Sequence, residues 1–385
     1  MYKTIQGLFL VGASLLFSEQ IQETPTVSEV ADKNAYCDWQ GKVGSASPCS
    51  GFFLDLSYLY LRSELDGLSY GQTFAVTPAT ATTPGSIISE TKELDFDWDS
   101  GFNLGLGYIF PNREQWQLSG YWTYLHSDAE NSASSDDISE EFIAPQWAHF
   151  STGSAADRAS ADWTLNFNVM DIAISRNAFF GKWLSIEPRM GIRAAWINQD
   201  YNANYRGLFS FTTGGVATNL FKDTSFKADQ EYWGVGTRMG TGLQWHLTDS
   251  FSISGGVFAS LVYGGFTINE TIVGGVIEDV GAGPALLEEV HKIRKEFNAL
   301  RAALETEIGI RWQHFFQDRS SRLLIGLYYQ FNNWFDQNEI FNPVFSNDSS
   351  AININSNRND LAFNSIYSNG NLQMQGLRAQ VRYDF

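Results

Sequence analysis

"YWGVGTRMGTGLQWHL", residues 232–247, places a large apolar side chain at almost every second position. Trp233, Val235, Met239, Leu243, Trp245 and Leu247 share one face. Gly234, Gly236, Arg238, Gly240, Gly242, Gln244 and His246 share the other. A period of two is a β-strand with one oily and one polar side. Trp233 and Trp245 bracket the oily side twelve residues apart. At about 3.3 Å per residue and a tilt of about 40°, that is roughly 30 Å along a membrane normal. An apolar band about 25 Å tall between two aromatic girdles fits this spacing. Soluble sandwiches also alternate, but their strands average about 5–6 residues, and this run is longer.

Nine further segments repeat the pattern. "GFFLDLSYLYLR" sets Phe52, Leu54, Leu56, Tyr58 and Tyr60 on one face. "DFDWDSGFNLGLGYIF" sets Phe96, Trp98, Phe102, Leu104, Leu106, Tyr108 and Phe110 against Asp97, Asp99, Gly101, Asn103, Gly105 and Gly107. The third carries Trp116, Leu118, Trp122 and Tyr124. The fourth carries Trp163, Leu165, Phe167 and Val169 against Thr164, Asn166 and Asn168, then changes phase near Asp171, which predicts a bulge there. "LSIEPRMGIRAAWIN" alternates Leu184, Ile186, Met190, Ile192 and Trp196 with Glu187, Arg189, Gly191 and Arg193. Phe251 to Tyr263, Leu304 to Trp312 and Leu323 to Phe331 behave alike. "LRAQVRYDF", residues 377–385, closes the series with Leu377, Ala379, Val381, Tyr383 and Phe385 on the oily face.

Short connections such as "PNRE" (111–114), "NAFFGK" (177–182), "TDS" (248–250) and "QDRSS" (317–321) alternate with long polar ones. The long ones run roughly over 65–93, 129–160, 204–227, 269–298 and 337–369. An even number of antiparallel strands joined alternately by short turns and long loops predicts an all-β transmembrane antiparallel barrel. The short turns are then periplasmic, the long loops extracellular and both termini periplasmic. The reading gives ten strands. "GQTFAVT" and "GSIISETKEL" would add a pair and raise the number to twelve or more if they entered the barrel.

Residues 1–19 read as a secretory signal peptide: Lys3 precedes an apolar run from Ile5 to Phe17, too short to span a bilayer as a helix. Residues 20–50 form a polar periplasmic segment with the two cysteines, Cys37 and Cys49, and the barrel occupies 51–385. In an oxidising compartment the cysteines could close a small loop or link to another chain. The 385 residues carry 18% charged and 15% aromatic residues and a net charge of −18. So acidic a chain should not bind nucleic acid through bulk charge.

"SGFFLDLSYLYLR", "WTLNFNVMDIAISRNAFFGKWLSIEPRMGIRAAWINQDY", "YWGVGTRMGTGLQWHL" and "LETEIGIRWQHFF" resemble the pore-forming major outer membrane proteins of Legionella and of Chlamydia relatives. The resemblance is most specific over 163–201. It implies a porin-like barrel in the outer membrane of a Gram-negative bacterium, in contact with its lipids and passing small hydrophilic solutes or ions by diffusion. It also links Cys37 and Cys49 to the disulfide cross-linking of chlamydial envelopes. The alternative is a non-conducting adhesin or structural barrel of the envelope. Monomer and homo-oligomer both remain open. The C-terminal aromatic strand resembles the signal read by the outer-membrane assembly machinery.

If the oily faces meet lipid, the polar faces line a lumen. Arg189, Arg193, Arg238, Arg311, Arg322, Arg378 and Arg382 would point inward, with Asp55, Asp97, Asp99, Glu305 and Glu307. Mixed charges of this kind line a solute path, or pair across a closed lumen. Gly234, Gly236, Gly240 and Gly242 leave room for an inserted loop or relieve curvature. One stretch breaks the rhythm. Leu286, Val290, Ile293, Phe297 and Leu300 recur at helical spacing after Pro284, which predicts a short amphipathic helix over 284–300 in the fourth long loop, plugging or capping the pore. The long loops carry an excess of acids, which favours cations at the mouth.

A hydrolytic reading rests on His126 and Asp128 beside Asp97 and Asp99 near the rim, where acids and a His–Asp pair could activate water. Strand-end acids and histidines are ordinary loop-edge residues, and no catalysis is expected. His149, His246, His291 and His314 have no metal-ligand spacing, and no cofactor is expected.

Overall fold

The computed structural model describes residues 51–77, 85–110, 116–135, 141–147, 154–180, 183–207, 209–211, 217–220, 223–279, 284–316, 321–345, 363–367 and 370–385. The expected signal peptide and the segment with Cys37 and Cys49 lie outside them. Every regular element among the described residues is a strand. Ten long strands form the barrel: β1 Gly51–Leu65, β2 Trp98–Ile109, β3 Trp116–Ser134, β4 Arg158–Arg176 and β5 Leu184–Arg206. They continue with β6 Thr224–His246, β7 Phe251–Asp279, β8 Pro284–Phe315, β9 Arg322–Asn338 and β10 Gly370–Asp384.

Each strand pairs antiparallel with the next, from β1·β2 round to β9·β10. The ring closes where β10 returns to β1, with Tyr58 opposite Ala379 and Asp55 opposite Arg382. Closure leaves no unpaired edge, as a strand structure in lipid requires. Gly71–Thr77 and Ser86–Lys92 do not enter the ring. They form a separate three-stranded sheet with Glu141–Pro145.

The alternation holds through the lower part of every strand. Leu56, Ile192, Trp233, Trp245, Ile308 and Val381 are among the large apolar side chains exposed on the outside. Trp196 lies opposite Trp233, and Leu184 opposite Trp245, so neighbouring strands present the same band at the same height. Tyr60 stacks on Trp98 at 5.3 Å at one rim; Phe52 meets Tyr108 at 4.9 Å at the other.

Above the first rim the pattern inverts. On β5, Asn198, Asp200, Asn202 and Asn204 continue the outer face, while Ile197, Tyr201, Ala203 and Tyr205 are buried inside. This inversion corrects the reading of β4. Trp163, Leu165, Phe167 and Val169 point inward, and Asp162, Thr164, Asn166 and Asn168 point outward. No bulge occurs at Asp171: its pairing to Tyr121 and Arg193 continues both ladders without a shift. What changed near Asp171 was the solvent outside the strand, from water to lipid, not the phase of the strand.

The bulge lies on the approach to β2 instead. Phe96 pairs with Ala129 and Gly101 with Leu125, so five steps of one strand face four of the other. The extra residue puts Phe96 inside, its ring 5.6 Å from Trp163, while Trp98 stays outside.

The predicted helix over 284–300 is also corrected. The stretch belongs to β8, which pairs with β7 without interruption from Phe251↔Trp312 to Asp279↔Pro284. Its apolar spacing fits a helix, but Ile293, Phe297 and Ala299 also alternate with Arg294, Glu296 and Asn298. Cross-strand pairing with β7 overrides the helix preference of its Glu, Lys and Ala residues.

Candidate functional site

Inside the membrane band the barrel holds a cavity of about 170 Å³. Arg189, Arg193, Arg238, Arg311, Arg378 and Arg382 line it, facing Asp55, Asp171, Glu187, Glu305 and Glu307. Nine of the residues read from sequence as pore-lining are therefore brought together here. Arg322 lies just below, with Arg311 and Arg382, around a smaller cavity of about 30 Å³ at the short-turn end. Asp99 also faces inward, higher up, where it accepts a 2.6 Å hydrogen bond from the Ser127 hydroxyl. Asp97 is the exception. It is exposed at the break before Trp98 and does not line the chamber.

The charges form chains of contacts. The Arg193 guanidinium donates two bonds of 2.7 Å to the Asp171 carboxylate, and its third arm reaches Glu305. Arg238 donates to the other Glu305 oxygen at 2.7 Å and lies 4.3 Å over the Phe258 ring. Arg189 donates to Glu187 at 2.8 Å, and Gln117 and Ser175 donate to the same oxygen. Arg378 holds Glu307 at 2.7 Å. Arg382 and Arg322 share Asp384 at 2.7 and 2.6 Å. Asp55 is held by the amide of Gln380 at 2.5 Å, and Arg311 donates to the side-chain oxygen of Gln244. In a low-dielectric setting such pairing is what makes buried charge tolerable.

The inward glycines of β6 serve packing. A side chain at Gly240 would fall 2.4 Å from the Phe258 ring, so its absence seats the ring on which Arg238 lies. The room expected for an inserted loop is filled by this aromatic.

Above the chamber lies an apolar core. Trp334 of β9 packs edge-on against Phe167 at 5.8 Å, and Arg193 lies under its ring at 5.9 Å. Higher still, Trp147 stacks on Phe226 at 4.6 Å and meets Tyr201 at 5.6 Å. The Tyr205 hydroxyl donates to the Tyr70 carbonyl at 2.5 Å and accepts the Trp147 amide at 3.2 Å.

The end of β9 and the residues that follow it cross this core as a strap. The β9·β10 ladder breaks between Trp334 and Asn338, with Asp336 in the left-handed region at φ 53°. Gln337, Asn338 and Ile340 are then fully buried. Gln230 of β6 donates to the Gln337 carbonyl at 2.7 Å and accepts the Glu339 amide at 2.8 Å. Asn338 donates to the carbonyl of Asp66, just past β1, at 2.8 Å. Arg301 of β8 binds the Glu339 carboxylate. The Phe341 amide donates to Glu270 of β7 at 2.9 Å. Contacts to β6, β7 and β8 and to the chain just past β1 place the strap across the mouth.

Sequence reasoning missed Asp171 and the whole strap. Asp171 had a signal: it continues the inward phase of Trp163 to Val169. The strap "DQNEIF" had none, because nothing in its composition distinguishes it from an exposed loop.

The hydrolytic reading has no assembled site among the described residues. His126 and Asp128 point outward, with His126 bonded to Asn166 at 2.9 Å, whereas Asp99 points inward.

A closed ten-stranded barrel with an apolar belt, two aromatic rims and a charged interior is an integral protein of a bacterial outer membrane. Residues 46–383 match the family described as Legionella pneumophila major outer membrane protein precursor, and the chain belongs to that family. No curated protein matches it. Among solved structures it is similar to the outer membrane protease OmpT from Escherichia coli, at 9% identity and a TM-score of 0.33, covering 87% of this chain and 97% of that one. It is also similar to a TodX deletion mutant described as a monoaromatic hydrocarbon channel, at 13% identity and a TM-score of 0.27, covering 88% and 91%. A Pseudomonas aeruginosa FadL homologue follows, at 8% identity and a TM-score of 0.23, covering 87% and 90%.

Proposed function

We propose that the barrel is a porin-like channel passing small hydrophilic solutes or ions by diffusion, in a closed form. The supporting observation is the chamber of about 170 Å³ inside the membrane band, lined by guanidinium and carboxylate groups from six of the ten strands. Fixed charges of both signs around water-sized space suit a path for hydrated solutes. On this reading the chain bears a cleaved signal peptide, is not an enzyme and is assembled through its C-terminal strand.

The second reading, a structural barrel or adhesin of the envelope, is favoured by the apolar core and strap that close the mouth. Folded protein in a planar bilayer separates the two. The channel reading expects conductance steps, rarer in wild type than in a variant whose residues 336–341 are replaced by a Gly-Ser linker. If neither protein conducts, with the barrel folded by heat-modifiable migration on a gel, the channel reading fails.

A further inference from the structure

Glu270 sits in surroundings that do not suit a charge. It is 1% exposed, on the inward face of β7 between Ile268 and Ile272, both fully buried. It lies well above the Trp233 rim, outside the membrane band: Trp233 pairs with Gly265, five residues below it. On β6 the inward neighbours are Phe226, Ala228 and Gln230, all uncharged. On β8 the inward neighbours are His291, Ile293 and Lys295. From the strap come Glu339 and Phe341, and Arg301 lies farther down β8. Lys295 and Arg301 are turned to Glu339, at 3.9 Å for the lysine and closer for the arginine. Glu270 Oε1 accepts the Phe341 amide at 2.9 Å, and Oε2 has no hydrogen-bond partner among the described residues.

We propose that Glu270 is a proton-operated latch: as a neutral acid it holds the strap in the mouth, and on losing its proton it releases it. The geometry supplies the reason. A neutral carboxyl held by the bond from Phe341 leaves one O–H to satisfy, a small cost beside that of a buried carboxylate, which needs several donors or a close cation, and the nearby cations serve Glu339. Burial pushes the Glu270 carboxyl up to about 8 with the strap in place, against the smaller opposing pulls of the Phe341 amide and Lys295. With the strap displaced and water admitted, the group returns toward an ordinary glutamate value of about 4.3. The closed form therefore binds the extra proton. Closure is strongest below about pH 4, weakens as the pH rises and stops weakening above about pH 8. The open-to-closed ratio rises by up to about tenfold per pH unit between those limits.

Hydrogen exchange of strap peptides covering 336–341, in the full-length folded protein at pH 5, 6.5 and 8, tests this. Protection factors are corrected for the intrinsic pH dependence of exchange. Wild type should lose protection by roughly tenfold or more from pH 5 to pH 8, while Glu270→Gln, which cannot ionise, should show no such slope. A wild-type protection independent of pH overturns the latch, whether or not the variant folds. So does a Glu270→Gln slope equal to that of wild type. Only the consequence for permeation rests on the channel reading. If strap protection follows pH and no conductance appears at any pH, the latch stands and the channel reading falls.

Discussion

Glu305 binds two guanidiniums, Arg193 and Arg238, and Arg193 in turn grips Asp171. Arg193 is 4% exposed at its side chain, so loss of a partner strands charge away from water. Glu305→Gln is therefore expected to destabilise the barrel by about 3–5 kcal/mol, read as a shift in the urea unfolding curve of the lipid-embedded protein. Replacing Asp171 and Arg193 together by leucine should cost far less, because no uncompensated charge remains. Asp200 offers a milder case on the outer face above the rim. Burial, then hydrogen bonding and repulsion from Asp229 beside it, push its carboxyl up to about 6, against the pull of Lys227. Its proton is held more tightly in the folded protein, so stability falls as the pH rises from about 3.8 through 6. Asp200→Asn should flatten that fall in the unfolding midpoint, by less than the full linkage because the site is partly screened by solvent.

Along β8 the outward residues pass from Val290, Lys292, Arg294 and Glu296 to Leu300, Ile308 and Ile310. A single strand thus crosses from water into lipid. Ile308→Arg is expected to cost about 2–4 kcal/mol, whereas Glu296→Arg should be close to neutral. Equal costs at the two sites would move the membrane band. Just past β10 the Phe385 amide donates to the Phe52 carbonyl at 2.8 Å, and its ring packs edge-on against Tyr383 at 4.9 Å. Deleting Phe385 should lower the folded, heat-modifiable fraction in isolated outer membranes. Most of this was legible in sequence wherever one face met lipid, because there apolar and polar positions contrast sharply, as in Trp233 to Trp245. Legibility failed where the outside turned back to water. Trp163 to Val169 still alternated, yet the oily face had become the inner one. The approach to β2 hid its extra residue because Phe96 and Trp98 look alike in phase, and residues 284–300 fit both periods. The strap could not be read, since its burial depends on partners scattered over four strands.

As a whole the molecule answers to two solvents. Below the Trp196–Trp233 rim it is built outside-in, and above that rim it resembles a water-soluble protein with a core of its own. Brominated acyl chains should accordingly quench fluorescence that is lost in Trp233→Phe and Trp245→Phe, and leave unquenched the part lost in Trp163→Phe. Quenching of Trp163 equal to that of Trp245 would contradict the inversion. The seam between β1 and β10 has a further consequence, which concerns time. The two strands that complete the ring are the first and the last to be made, and β1 spends the interval with one flank unpartnered. The ring therefore cannot close before its last strand is present, and until then the free edge of β1 is open to pairing with any other strand.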